Sequence, residues 1–206
     1  FDFVLNYGEI VNETDLNHQL GILKRTKPIG KDELFKDLLD ESNVVFVPGT
    51  ILVKTESLKK AIPDLDIYES REGQNWQLML PLAYCCSVGY LDEVLFKYVV
   101  HTDSHSHTKR TLEQEYKRRD NFYKLQCETI DKIGTMQKNE KEYWKNYALT
   151  RSILTKYRMA IYYHNFLESV KKQSELKERG VKILWKDGFL SHHFRIITRR
   201  IKEIVG

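Results

Sequence analysis

Cysteine is scarce in this chain: Cys85, Cys86 and Cys127 are the only three in 206 residues. They make no C-x-x-C pair and no zinc-ligand spacing, and an odd count argues against a disulfide framework. Long apolar runs are missing as well. None approaches the roughly eighteen residues that a membrane-spanning helix needs, and the first residues carry no signal-peptide pattern. A reducing, cytoplasmic setting is the expectation. The familiar glycine-rich phosphate loops, G-x-x-x-x-G-K-[ST] and G-x-G-x-x-G, are absent, and so is the G-x-S-x-G nucleophile elbow. The common nucleotide-dependent and hydrolytic templates therefore fail.

What remains is an ordinary composition for a soluble protein, 41% hydrophobic and 30% charged, in a chain long enough to bury a core. Charge is unevenly spread. Residues 1–108 carry a net −7 and residues 109–206 a net +11, which together give the +4 of the whole. This asymmetry sets the expected boundary just after Thr108, with an α+β part over 1–108 and a basic, mainly helical part over 109–206. Phe1-Asp2-Phe3-Val4-Leu5 already reads as a strand. A chain that begins inside a strand, without an initiator Met, is expected to be part of something longer.

Strand-like residues recur at Ile10-Val11, after a turn-like Asn6-Tyr7-Gly8, and a polar stretch with Gly21, Pro28 and Gly30 follows. Asp32–Leu39 sets Leu34, Phe35, Leu38 and Leu39 on one helical face. The β-branched run Val44-Val45-Phe46-Val47 breaks at Pro48-Gly49-Thr50 and resumes at Ile51-Leu52-Val53. Thr55 is placed to N-cap a short helix ended by Pro63. Gly49 has two readings: a special backbone angle, or a bare backbone that a ligand can approach.

The densest concentration of chemistry is Glu69-Ser70-Arg71-Glu72-Gly73-Gln74-Asn75-Trp76, just ahead of an apolar helix through Leu82, Ala83 and Tyr84. Glu69 and Glu72 would lie at the N-terminal end of that helix, where they either complement its dipole or serve a reaction. Pro81 removes a hydrogen bond inside the helix and should kink it, and Gly89 should end it. Tyr90–Val100 reads as a strand, with Val94, Phe96, Tyr98 and Val100 at alternate positions. It leads into His101-Thr102-Asp103-Ser104-His105-Ser106-His107. That group is either a set of metal ligands, since imidazole and carboxylate suit divalent ions, or a polar exit loop. His192-His193 point apart on a helix and receive no role.

From Thr111 onward the spacing is helical: Leu112, Tyr116, Tyr123 and Ile130 mark one segment, and Tyr147, Leu154, Tyr157 and Ile161 the next. Gly180 and Gly188 precede a last basic segment with Phe194, Ile197, Ile201 and Val205.

Phe1–Val4, Pro48–Val53, Glu72–Leu78, Gly89–Leu91 and Tyr98–Ser106, taken in that order, resemble the second half of bacterial family 2 glycosyltransferases. The resemblance covers about the first half of the chain and lies in the ordered set. It implies a GT-A-like fold for residues 1–108. The family's Asp-x-Asp motif, which helps hold the metal and the nucleotide diphosphate, would lie upstream of Phe1. The chain would then be the acceptor-side portion of an enzyme that transfers a sugar from a nucleotide-sugar donor to a glycan or a lipid-linked envelope acceptor. Alone it is expected to be inactive.

The same resemblance implies a divalent cofactor, Mg²⁺ or Mn²⁺, with His101 as its ligand, and acceptor contacts from Gly49, Thr50, Gln74, Asn75 and Trp76. Where the family commonly has Glu-Asp-Trp with the Asp as base, this chain has Gln74-Asn75-Trp76, and an amide cannot take the proton. Either Glu72, with Glu69 as second choice, has taken over, or the amides bind acceptor, or catalysis is lost. Pro81 also replaces an arginine common in the family. The rival expectation is a non-catalytic module whose basic helices contact an anionic membrane, as at the inner face, or nucleic acid. No zinc finger, RNA-recognition signature or helix-turn-helix supports the nucleic-acid form.

Overall fold

In a computed structural model the described residues are 1–25, 33–45, 47–70, 72–73, 75–101, 110–184 and 188. Gln74, Asp103, His105, His107, His192, His193 and the segment from Phe194 to Val205 lie outside them. The class is α+β, with four strands and six helices among the described residues. Two compact units emerge: Phe1–Lys109 with Asn121–Ala148, and Arg110–Asp120 with Leu149–Gly206. Residues 121–148, on the basic side of the charge boundary, thus cluster with the acidic part.

The first unit is organised around strand β1, Phe3–Asn12. The chain turns at Glu13-Thr14 into β2, Asp15–Leu23, which returns antiparallel with Asn12 opposite Asp15 and Gly8 opposite Leu23. Strand β3, Ile51–Val53, is antiparallel to the start of β1, with Phe3 opposite Val53 and Leu5 opposite Ile51. Strand β4, Val88–Val100, is parallel to β1 along its length, from Phe3 opposite Val88 to Asn12 opposite Val100. Because Phe3–Leu5 pairs with both β3 and β4, and Gly8–Asn12 with both β2 and β4, β2 and β3 share one edge of β1 and β4 takes the other.

Two sequence expectations are corrected here. Asn6-Tyr7-Gly8 does not break the strand: Gly8 stays in β1, where a side chain would press on the ring and carbonyl of Phe96. The polar stretch before Pro28 contains β2, an edge strand with Leu16, Leu20 and Ile22 exposed. Edge strands need little apolar content, so the hydrophobic pattern is weak there.

Helix α1, Glu33–Asp40, buries Leu34, Phe35, Leu38 and Leu39 as its spacing predicts. Helix α2 is Thr55–Ala61; Lys54 takes the N-cap position, so Thr55 is the first helical residue rather than the cap. Helix α3 is Trp76–Cys85 and runs through Pro81. Gly89 does not end it but lies in β4, against the ring of Phe1. Helices α4, Leu112–Lys132, and α5, Lys138–Tyr162, each contribute to both units. The core of the first unit joins Phe3 and Leu5 to Leu38, Trp76, Leu80 and Leu82, with Leu125, Ile130 and Ile133 from and just after α4.

The second unit has its own apolar cluster of Ile153, Tyr157 and Ile161 from α5 with Leu176 of α6, Phe166–Glu178. Asn165 caps α6 by accepting a hydrogen bond from the Glu168 N–H at 3.1 Å. At the other end Gly180, at φ +75°, turns the chain so that Val181 N–H bonds the Leu176 carbonyl at 2.9 Å. Among the described residues no helix is long and apolar enough to cross a membrane.

Candidate functional site

The loop before α3 is built from its tryptophan outward. Trp76 is 4% exposed; its indole N–H donates to the Leu38 carbonyl at 3.0 Å and its ring meets Phe122 edge-on at 5.1 Å. Gly73, at φ +57°, has its missing side chain replaced by that ring, so only glycine makes the turn without strain. Trp76 N–H closes the turn on the Gly73 carbonyl at 3.2 Å. Trp76, expected on the acceptor side, is therefore a core residue whose indole is not open to a ligand.

Glu72 and Glu69 stand on the approach to this turn. Glu72 is half-buried, and its backbone N–H donates to the Ser70 hydroxyl at 3.1 Å. Glu69 is exposed and lines an open groove together with Tyr68, Ser70 and Gln77. The helix starts at Trp76 and has no acid in its first turn, so both carboxylates precede the turn in which the dipole acts most strongly. Asn75 occupies the N-cap position, half-buried, without a capping hydrogen bond from its side chain.

Gly49 and Thr50 form a second place, the 3₁₀ turn Pro48–Thr50 that leads into β3. Thr50 is 1% exposed and donates its hydroxyl to the Val47 carbonyl at 2.7 Å. A Cβ on Gly49 would fall inside the Phe96 ring. The missing side chain thus accommodates an aromatic ring of the protein itself, and Thr50 is another core residue rather than an open contact.

His101 marks a third place, at the end of β4. Its Nδ1 lies 2.8 Å from Glu13 Oε2, in the turn between β1 and β2. Five residues of strand separate it from Phe96, about 16 Å. His101 is exposed, and among the described residues no group of three histidine, cysteine or acidic side chains is gathered as for a metal. His101 and Glu13 do supply one nitrogen and one carboxylate. In this structure the two are spent on each other, and an imidazole nitrogen is not the oxygen ligand that Mg²⁺ prefers.

Sequence reasoning missed Gln77, the second residue of α3. It is 5% exposed, its amide N–H donates to the Tyr68 carbonyl at 3.1 Å, and its Oε1 is buried with no partner. A signal was present in the spacing: Pro81 stands four residues later and has no N–H for the Gln77 carbonyl. Asp2 was also overlooked. It accepts from Ser87 N–H at 2.8 Å, Ser87 hydroxyl at 2.7 Å and Ser57 hydroxyl at 3.0 Å, joining β1 to α2 and to the approach of β4. Those bonds hold its carboxyl well below the usual carboxylate range.

No protein family, curated protein or solved structure matches this chain.

Proposed function

We propose that the chain forms the acceptor side of a family 2 type glycosyltransferase, acting on a glycan or envelope acceptor with a nucleotide sugar as donor. The supporting observation is in the sheet. Three sequence pieces that carry the resemblance, and that are far apart in the chain, are hydrogen-bonded neighbours: Phe3 pairs with both Val53 and Val88, and Val4 with both Leu52 and Gly89. A fourth piece, Glu72–Leu78, opens α3, whose Trp76 and Leu80 join the core beneath Phe3 and Leu5.

In this reading Glu72, with Glu69 as its alternate, takes the proton of an acceptor hydroxyl while that oxygen attacks the anomeric carbon and the bond to the diphosphate breaks. Asn75 and Gln74 orient the acceptor. His101 with Glu13 would hold a divalent ion, Mg²⁺ or Mn²⁺, and that ion would supply positive charge to the departing diphosphate. The test is transfer by residues 1–206 in their natural polypeptide, with a panel of nucleotide sugars, Mn²⁺ and glycan acceptors, read as nucleoside diphosphate release. Glu72→Gln or Glu69→Gln is expected to lower turnover at least 100-fold, in line with a lost general base. Turnover unchanged by both substitutions rejects this assignment of the base, and no release with any donor rejects the reading.

A second reading draws on the other unit. Helix α6 exposes Phe166, Leu167 and Val170, with Leu167 78% exposed, beside Lys171 and Lys177. Apolar side chains flanked by lysines suit contact with an anionic membrane surface, in which each well-placed Lys contributes about 1 kcal/mol. Equal sedimentation with neutral and anionic liposomes would remove this reading.

A further inference from the structure

We infer that the cavity around Gln77 is a binding site for one neutral sugar ring, recognised by hydrogen-bond acceptors; that the ring belongs to a glycan acceptor rests on the glycosyl-transfer reading, whereas the cavity stands without it. Three observations carry the inference.

The first is an acceptor in need of a donor. One N–H of the Gln77 amide is given to the Tyr68 carbonyl, while Oε1, covered by protein in this structure, has no hydrogen-bond partner. The second is a deficit on the same residue. Pro81 withholds the N–H that would normally reach the Gln77 carbonyl, and Gln77 and Pro81 line the same cavity.

The third is the chemistry and size of the space. The cavity measures about 140 Å³, room for on the order of ten waters by the same measure and so for a single hexose-sized ring. It is lined also by Asp64, Asp66 and Lys132, all exposed at its rim, and by the buried Thr129. Lys132 is engaged with Asp66 at 2.6 Å, and the Thr129 hydroxyl proton is given to the Leu125 carbonyl at 2.8 Å, leaving its lone pairs for a ligand. The free groups are thus mainly acceptors, which selects a ligand rich in hydroxyl donors. Carboxylates at the rim repel phosphates and other anions, and Lys132 offsets the attraction that Asp66 would offer a cation. Ile62, Pro63 and Ile67 supply apolar surface for the C–H face of a ring. The adjoining groove holds Glu69 and shares Gln77, so a glycan seated here continues toward a candidate base.

The experiment is a titration of ¹⁵N-labelled residues 1–206 with methyl glucoside, methyl galactoside and N-acetylglucosamine, followed by amide shifts. Saturable shifts of the Gln77 side-chain amide and of the Tyr68, Thr129 and Lys132 backbone amides are expected with at least one probe. Gln77→Leu should weaken that binding at least tenfold. Asp66→Asn, a change at the exposed rim that leaves the core intact, should weaken it several-fold. The absence of saturable shifts with every probe means that the cavity holds only solvent and overturns the inference, as do shifts that both variants leave unchanged. Sugar binding without transfer in the natural polypeptide upholds the site and rejects the glycosyl-transfer reading. Transfer whose acceptor KM is indifferent to Gln77→Leu does the reverse.

Discussion

The Trp76 indole N–H donates to the Leu38 carbonyl at 3.0 Å, so the tryptophan that closes the Glu69–Trp76 stretch is fastened to the last turn of α1. Trp76→Phe removes that bond and one ring. It is expected to cost about 2 kcal/mol of stability, and Trp76→Ala about 4 kcal/mol. Denaturant unfolding checks both. A sugar-stacking role would instead leave stability intact and raise the acceptor KM.

Gly49 is fixed by Phe96 rather than by a ligand. Gly49→Ala should cost about 1–3 kcal/mol through overlap with the ring, and Phe96→Ala in the same chain should recover most of that loss. A double-mutant cycle with no coupling would show that the ring simply moves aside.

Alkaline pH should weaken the fold. Burial, aided by the Glu140 carboxylate that accepts its proton at 2.6 Å, pushes the Tyr84 hydroxyl up to about 12. Tyr90, in the same unit, is raised to about 12 chiefly by burial. The unfolded chain ionises first, from about pH 10, so it binds fewer protons than the folded one as pH rises. Stability is therefore full below about pH 10 and falls as pH climbs toward 12. Denaturant midpoints across that range should drop, and Tyr84→Phe should make the decline shallower.

Acid reverses the sign at Asp2. Three hydrogen bonds, led by the Ser87 hydroxyl, depress its folded pKa, so its contribution is present above the ordinary Asp value of about 3.9 and is lost as pH falls below it. Thermal unfolding between roughly pH 4 and 2 should be less pH-dependent in Asp2→Asn than in the unaltered chain. Equal slopes would place the acid sensitivity elsewhere.

The α+β class and the apolar face of α1 were legible because each depends on local spacing, as with Leu34, Phe35, Leu38 and Leu39. Strand β2 was not, because an edge strand that buries none of its residues fully leaves little periodic signal. The loop from Glu69 to Trp76 was found by its composition, but the depth of each side chain was not. Burial of Trp76 depends on Leu38 and Phe122, and that of Thr50 on the packing of its turn against β1 and β4; these neighbours are far away in sequence. The His101–Glu13 pair follows from the parallel register of β1 and β4, which the sequence of neither strand contains. Gln77 escaped notice because its significance lies in a partner it lacks.

The placement of β1 between all of its partners also dictates an order of events in folding. Joining β1 to β2 closes a loop of only a few residues, at about 1 kcal/mol of chain entropy, whereas bringing Phe3 to Val88 closes one of 85 residues, at about 4 kcal/mol. The hairpin and the helices are cheap to form early. The parallel pairing that unites the sheet is expected to form after α1 and α3 have supplied an apolar surface to hold it. Pulse-labelled hydrogen exchange should accordingly protect the amides of the β1–β2 hairpin before those of β4, and the slowest step should be the closure of that long loop.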